Sequence, residues 1–229
     1  MDETVEHQIV GQSRRNNTVI CAEIAFVVGC VLVAEWAVLP LFGRNAVAGL
    51  VPAVAAFVAM IASHIVRREG LSEIGWRVDN FGRSLLTLLP PMLAATGLLL
   101  LVGYFFGSIR FRELRLSWPI VTTFLGLFVW GLMQQYPLQG FINRRAQMAW
   151  GSGGLSVIFV AFVFALLHLP NFWLTLATFL IGLVWAWAYQ RSPNLFALGL
   201  SHAVMTVILV LAVPYSALHG LKVGYGYFL

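Results

Sequence analysis

Long apolar runs separated by short polar stretches set the pattern of this chain from residue 17 onward. A helix needs roughly 20 apolar residues to cross a bilayer, and seven candidate spans can be read in order. Asn17–Phe42 is the first, Val47–Ile65 the second, Ser84–Phe106 the third and Trp118–Phe141 the fourth. Ser156–His168 is short, Phe172–Tyr189 follows a Pro-Asn break, and Asn194–Val213 is the seventh. Pro214–Leu229 is short and Gly-rich, and whether it holds an eighth span is left open. The pattern predicts an all-α, polytopic transmembrane helical bundle. Its expected parts are a polar N-terminus (1–16), one membrane domain (17–213) and a C-terminal tail (214–229). The first run follows a polar segment and lacks a small-residue cleavage site, so it is not read as a cleavable signal peptide. Gly70–Arg83 mixes Glu73, Arg77, Asp79 and Arg83 with Leu71, Ile74, Trp76 and Phe81, and is expected to lie in the membrane interface.

Composition removes the main alternative. Hydrophobic residues are 60% of the chain and charged residues only 10%, where a soluble domain would carry about 25% charged. The spans and their loops leave no room for a separate soluble domain. Basic residues orient the bundle. With the N-terminus in the cytoplasm, that side holds Arg14, Arg15, Arg67, Arg68, Arg77, Arg83, Arg144, Arg145 and Arg191. The other side holds Arg44, Arg110, Arg112, Arg115 and Lys222. That asymmetry predicts a multi-pass protein of the cell membrane with its N-terminus inside. The net charge of +5 is then explained by basic loops against anionic lipid, with no nucleic-acid partner required. Cys21 and Cys30 lie about 13 Å apart along one helix, too far for a mutual disulfide, and read as packing residues.

Polar groups inside a membrane are costly and are functional candidates by default. Here they are few: Glu23 and Glu35 in the first span, His64 near the end of the second, Gln134, Gln135 and Gln139 in the fourth, His168 ending the fifth, and His202 with Thr206 in the seventh. Counted from Arg144, Gly154 and Asn194, the residues Gln134, His168 and His202 lie roughly 12–21 Å deep from one face. A shared internal polar pocket is the reading this alignment supports.

These residues also carry a resemblance. Gln134-Gln135-Tyr136-Pro137-Leu138-Gln139-Gly140-Phe141 resembles the first motif of the CAAX-protease and bacteriocin-processing (CPBP, or Abi) family, Glu-Glu-x-x-x-Arg. Phe164-Ala165-Leu166-Leu167-His168 resembles its second motif, Phe-x-x-x-His, and His202-Ala203-Val204-Met205-Thr206 its third, His-x-x-x-Asn. The intervals between motifs are similar too, Leu71–Trp76 looks like the family's interfacial segment, and the resemblance covers roughly residues 70–210. It implies an intramembrane endopeptidase fold that acts on a membrane-anchored peptide or a prenylated or otherwise lipidated substrate. In that family the first Glu and the second-motif His activate a water, and the third-motif His and Asn stabilise the oxyanion. The corresponding positions here are Gln134, Gln135, Gln139, Phe164, His168, His202 and Thr206.

The departures change the chemistry. Gln134 and Gln135 replace the two Glu, Gln139 the Arg, and Thr206 the Asn. A glutamine amide has no titratable proton and cannot act as a general base. Losing both members of an ion pair leaves no stranded charge, and positions 135 and 139 share a helix face, so their amides are expected to hydrogen-bond each other in a neutral pocket. Of the two acids in the first span, at most one can reach that pocket, and Glu23 is the better placed by depth. No cofactor is expected. A metal at His168 and His202 would lack a good third ligand. Two functions remain: a non-catalytic relative that binds a peptide or lipid-linked substrate, and an active peptidase with His168 as base and His202 and Thr206 as oxyanion donors.

Overall fold

The computed structural model describes residues 3–43, 46–109 and 118–229. The side chains of Arg14 and Arg15, and the whole of Arg44, Arg110, Arg112 and Arg115, lie outside the described residues, and that part of the charge asymmetry with them.

Every regular element among the described residues is helical. Helix α1 (Glu3–Val33) runs on through one π-helical turn, Ala34–Val38, into Leu39–Phe42. α2 is Ala46–Val66. A one-turn helix, Leu71–Ile74, leads into α3, Phe81–Phe105. α4, Trp118–Gln135, continues through a π-helical stretch, Tyr136–Asn143, and a further α-turn pair, Arg144–Trp150. α5 is Gly154–Leu166, α6 Phe172–Arg191 and α7 Leu195–Ala212. Five described helices are long and apolar enough to cross a membrane: Asn16–Phe42, Val47–Val66, Phe81–Phe105, Phe172–Arg191 and Leu195–Ala212. Their outward faces are apolar, with Val54, Phe57, Leu86 and Leu93 exposed. Water would make such faces a liability, and lipid removes it. This is a multi-pass membrane protein.

Three boundaries differ from the expectation, each for a physical reason. The fourth helix does not stop at Phe141. Pro137 lacks the N–H that would bond the carbonyl of Met133, and the chain answers with wide π turns rather than an end, so Arg144 and Arg145 stand on a helix and not in a loop. α5 is only 13 residues, roughly 20 Å against a hydrocarbon core of about 30 Å, so His168 sits just past its end in a turn at membrane depth. The tail holds no eighth span. It forms short turns, Tyr215–Leu218, His219–Leu221 and Gly224–Phe228, that fold across the break between α5 and α6.

That break needs covering, because irregular backbone at membrane depth survives only where protein satisfies it. The tail does this. Gly224 N–H donates to the carbonyl of Leu169 (2.8 Å). Asn171 Nδ2 donates to the carbonyls of Leu218 (2.7 Å) and Lys222 (3.1 Å), while its Oδ1 caps α6 at the N–H of Leu174.

At the opposite end the helix termini gather on the segment 73–77. Arg144 Nη1 donates to the Glu73 carbonyl (2.7 Å), Tyr189 Oη to the Ile74 carbonyl (2.7 Å), Leu195 N–H to the Gly75 carbonyl (2.9 Å) and Asn194 Nδ2 to the Arg77 carbonyl (2.8 Å). Gly75 takes φ +103° to make this turn, a conformation that suits glycine. The ends of α4, α6 and α7 therefore meet at one level here. α5 lies along α6, α7 lies between α4 and α3, and α1 packs on α2. The α4–α7 crossing is tight: a Cβ on Gly131 would meet the Gly199 carbonyl oxygen at 2.9 Å and the His202 Cβ at 3.0 Å.

Candidate functional site

Helices α1, α3, α4, α6 and α7, the end of α5 and the C-terminal tail enclose a cavity of roughly 580 Å³, within the ~300–1,000 Å³ range of small-molecule sites. Its walls are mostly aliphatic and aromatic. Five of the seven motif positions line it: Gln134, Phe164, His168, His202 and Thr206. Gln135 and Gln139 do not. Both are fully buried, one layer behind the wall.

The two histidines differ in what they can offer. His168 Nδ1 lies 2.6 Å from the Phe164 carbonyl. A carbonyl only accepts, so Nδ1 carries the ring hydrogen and Nε2 is left as the lone-pair nitrogen of the neutral ring. His202 Nδ1 lies 3.3 Å from Gln135 Nε2. With the amide donating, Nδ1 accepts and Nε2 carries the hydrogen. One cavity histidine thus presents an acceptor and the other a donor. Aromatic rings hold them. Phe164 stands edge-on to His168 (4.7 Å between centroids) and to His202 (6.3 Å), and Trp185 stacks on His202 at 4.9 Å and 15°. Trp185 is anchored in turn by its indole N–H to Ser201 Oγ (2.9 Å). Thr206, one helical turn beyond His202, adds a hydroxyl to the same face.

The glutamines do not pair as expected. Gln135 turns to His202, and Gln139 Oε1 accepts from Asn143 Nδ2 (2.7 Å). Among the described residues, Gln135 Oε1 and Gln139 Nε2 are left buried without a hydrogen-bond partner. Asn143 also reaches the Ala186 carbonyl and accepts from Gln190. Neither Asn143 nor Trp185 belongs to a motif, and nothing in their spacing marked them.

The acids of α1 are the reverse of the expectation. Glu23 is not in the cavity. It belongs to an ion cluster at the basic end, where its carboxylate accepts from Arg145 Nε (3.0 Å), Ser63 Oγ (2.9 Å) and Arg67 Nη2 (3.2 Å). Glu35 lines the cavity instead. Depth along the helix favoured Glu23, but the π turn at Ala34–Val38 changes which face Glu35 presents. The same cluster contains Glu69. Burial alone would raise its carboxyl, but hydrogen bonds from His64, Arg145 and Arg144 and the charge of Arg145 hold it below the usual carboxylate range. Arg145, fully buried, bonds Glu69 Oε2 at 2.7 Å. Arg67, Arg144 and Arg145, expected against lipid, are in fact bonded inward. Among the described residues no three His, Cys, Asp or Glu side chains gather as a metal-holding group.

Comparison with curated proteins and with solved structures finds no match to the chain. One family model does match. Residues 116–208 fit the model described as Type II CAAX prenyl endopeptidase Rce1-like, a stretch that contains all seven motif positions and neither Glu23 nor Glu35. The pocket-lining helices α4 to α7 fall largely within it, and over this segment the chain is similar to the CAAX-protease (CPBP) family.

Proposed function

We propose that this chain is a non-catalytic, or catalytically impaired, member of its family that binds a membrane-anchored peptide or a prenylated or otherwise lipidated chain in the cavity. The observation that carries this reading is the cavity itself. It keeps the two histidines, Phe164 and apolar walls, but presents amide or hydroxyl groups where the family has its first Glu and its Asn. General-base assistance is worth typically ~10²–10⁴-fold, and an amide cannot supply it. The protein resides in the cell membrane with its N-terminus in the cytoplasm, an orientation supported by the basic residues near Arg144. Its partners are membrane lipids and the bound chain, with no nucleic acid.

A second reading is favoured by one observation, the His168 ring. Its Nδ1–H is held by the Phe164 carbonyl, which leaves Nε2 able to take a proton from water. His202 and Thr206 would then donate to the oxyanion, and the chain would be a slow peptidase.

Membrane-protein termini, compared by mass spectrometry in cells with the wild-type chain, without it, and with His168→Ala, separate the two. Identical termini in all three are expected. New termini that appear only with the wild type would replace the first reading with the second.

A further inference from the structure

Of the polar groups on the cavity wall, Glu35 is the one neither the family motifs nor the fold uses. It reaches the cavity from α1, outside the stretch that matches the family. Its Oε2 is buried with no hydrogen-bond partner among the described residues. The other acid of the first membrane span, Glu23, is fully engaged by Arg67, Arg145 and Ser63, so an unpartnered carboxyl oxygen is particular to Glu35 within that span. A carboxyl at membrane depth is costly unless something pairs with it.

The root of the side chain is fixed. Glu35 stands in the π turn of α1, and the tail presses on it at Gly224. A Cβ at Gly224 would meet the Glu35 Cβ at 2.7 Å and its carbonyl oxygen at 2.8 Å. Gly224 is itself bonded to Leu169, the residue after His168. Backbone contacts therefore link the Glu35 turn to the His168 turn at one end of the cavity. Two residues of the same tail, Leu221 and Val223, line it.

Charge decides the complement. Among the described residues no Lys or Arg lines the cavity. Gln134, Thr178, Thr206 and neutral histidines carry no formal charge, which makes Glu35 the one acidic group among the described residues that faces this apolar space. A ligand with a hydrocarbon chain satisfies the walls, and a protonated amine at its head satisfies the carboxylate by a charge-assisted hydrogen bond, the strong kind. We propose that Glu35 is the anchor for the head of an amine-bearing hydrocarbon chain bound in this cavity. The assignment rests on the cavity being a binding site, as proposed above.

The full chain in detergent micelles is titrated with dodecylamine, dodecanol and dodecanoic acid, and bound molecules are counted by native mass spectrometry. Wild type is expected to bind dodecylamine about tenfold or more tightly than dodecanol, the scale of a hydrogen bond to a charged group. Dodecanoic acid is expected to bind weakest. Glu35→Gln, which keeps the shape, should bring the amine to the level of the alcohol and leave the alcohol unchanged, which also certifies the fold. Glu35→Asp, which keeps the carboxyl, should retain part of the preference. Equal binding of all three chains by wild type, or an amine preference that survives Glu35→Gln, would overturn the anchor and leave the binding site standing. Binding of none of them would overturn both.

Discussion

At the scale of single residues, the three glutamines of α4 are not equivalent. Gln134 faces the cavity, whereas Gln135 and Gln139 are fully buried. Gln135 has an acceptor without a partner and Gln139 a donor without one, so complementary groups are kept four positions apart where the family has Glu and Arg. Gln134→Glu should therefore be tolerated, since its carboxylate meets the cavity. Gln135→Glu should destabilise the solubilised protein by about 1–3 kcal/mol, the cost of a buried polar group left unmatched. Adding Gln139→Arg should recover part of that loss through a coupling of about 0.5–3 kcal/mol. Thermal unfolding of the single and double variants measures this, and strictly additive costs would mean the two sites no longer communicate. If cleavage of membrane peptides appears in the Gln134→Glu, Gln135→Glu, Gln139→Arg variant, only the base was missing from the site.

At the scale of elements, glycines and prolines set the geometry. Gly131 and Gly199 let α4 and α7 cross closely enough for Gln135 to reach His202. Gly131→Ala places a methyl 2.9 Å from a carbonyl oxygen and 3.0 Å from the His202 Cβ. Backbone must then move, at about 1–3 kcal/mol for overpacking, and the ring stacked on Trp185 must move with it. Unfolding of Gly131→Ala alongside Gly126→Ala, where the added carbon meets nothing within 4 Å, isolates the crossing. Equal stability of the two variants would show that the crossing has slack. Most elements and four polar cavity residues (Gln134, His168, His202 and Thr206) were legible in the sequence, because apolar run length gives helices and spacing gives depth. Rotation about a helix axis was not legible where a π turn interrupts the helix. That bears on Gln139, which lies within the π stretch Tyr136–Asn143, and on Glu35, which stands in the π turn Ala34–Val38. The long-range bonds of the tail to Leu169 and Asn171 leave no local signal at all.

At the scale of the whole molecule, one buried ion cluster joins α1, α2, the loop after it and the end of α4. Arg145 is its hub, bonded to Glu23, Glu69 and Ser63 and lying 4.7 Å above the Phe141 ring. Glu69 is its acidic centre, accepting from His64, Arg144 and Arg145. Because the folded state holds the Glu69 carboxyl below its ordinary value, the unfolded chain binds the proton more readily. The stabilisation is then fully present above the unfolded value of about 4.3 and is lost progressively as pH falls below it. Thermal unfolding of the solubilised protein should be insensitive to Glu69 between about pH 6 and 7 and fall steeply below about pH 4. Glu69→Gln should lower the unfolding temperature at neutral pH, since three cationic or hydrogen-bonding partners then face a neutral amide, and should flatten the acid limb. Arg145→Ala should cost more, about 3–5 kcal/mol, because it strands buried carboxylates. An acid limb unchanged by Glu69→Gln would place the pH dependence elsewhere and reduce the cluster to a set of local contacts. A flattened limb would show that this end of the bundle, from which the cavity helices rise, is held by charge, and that the cavity's position depends on residues about 18 Å along α1 from Glu35.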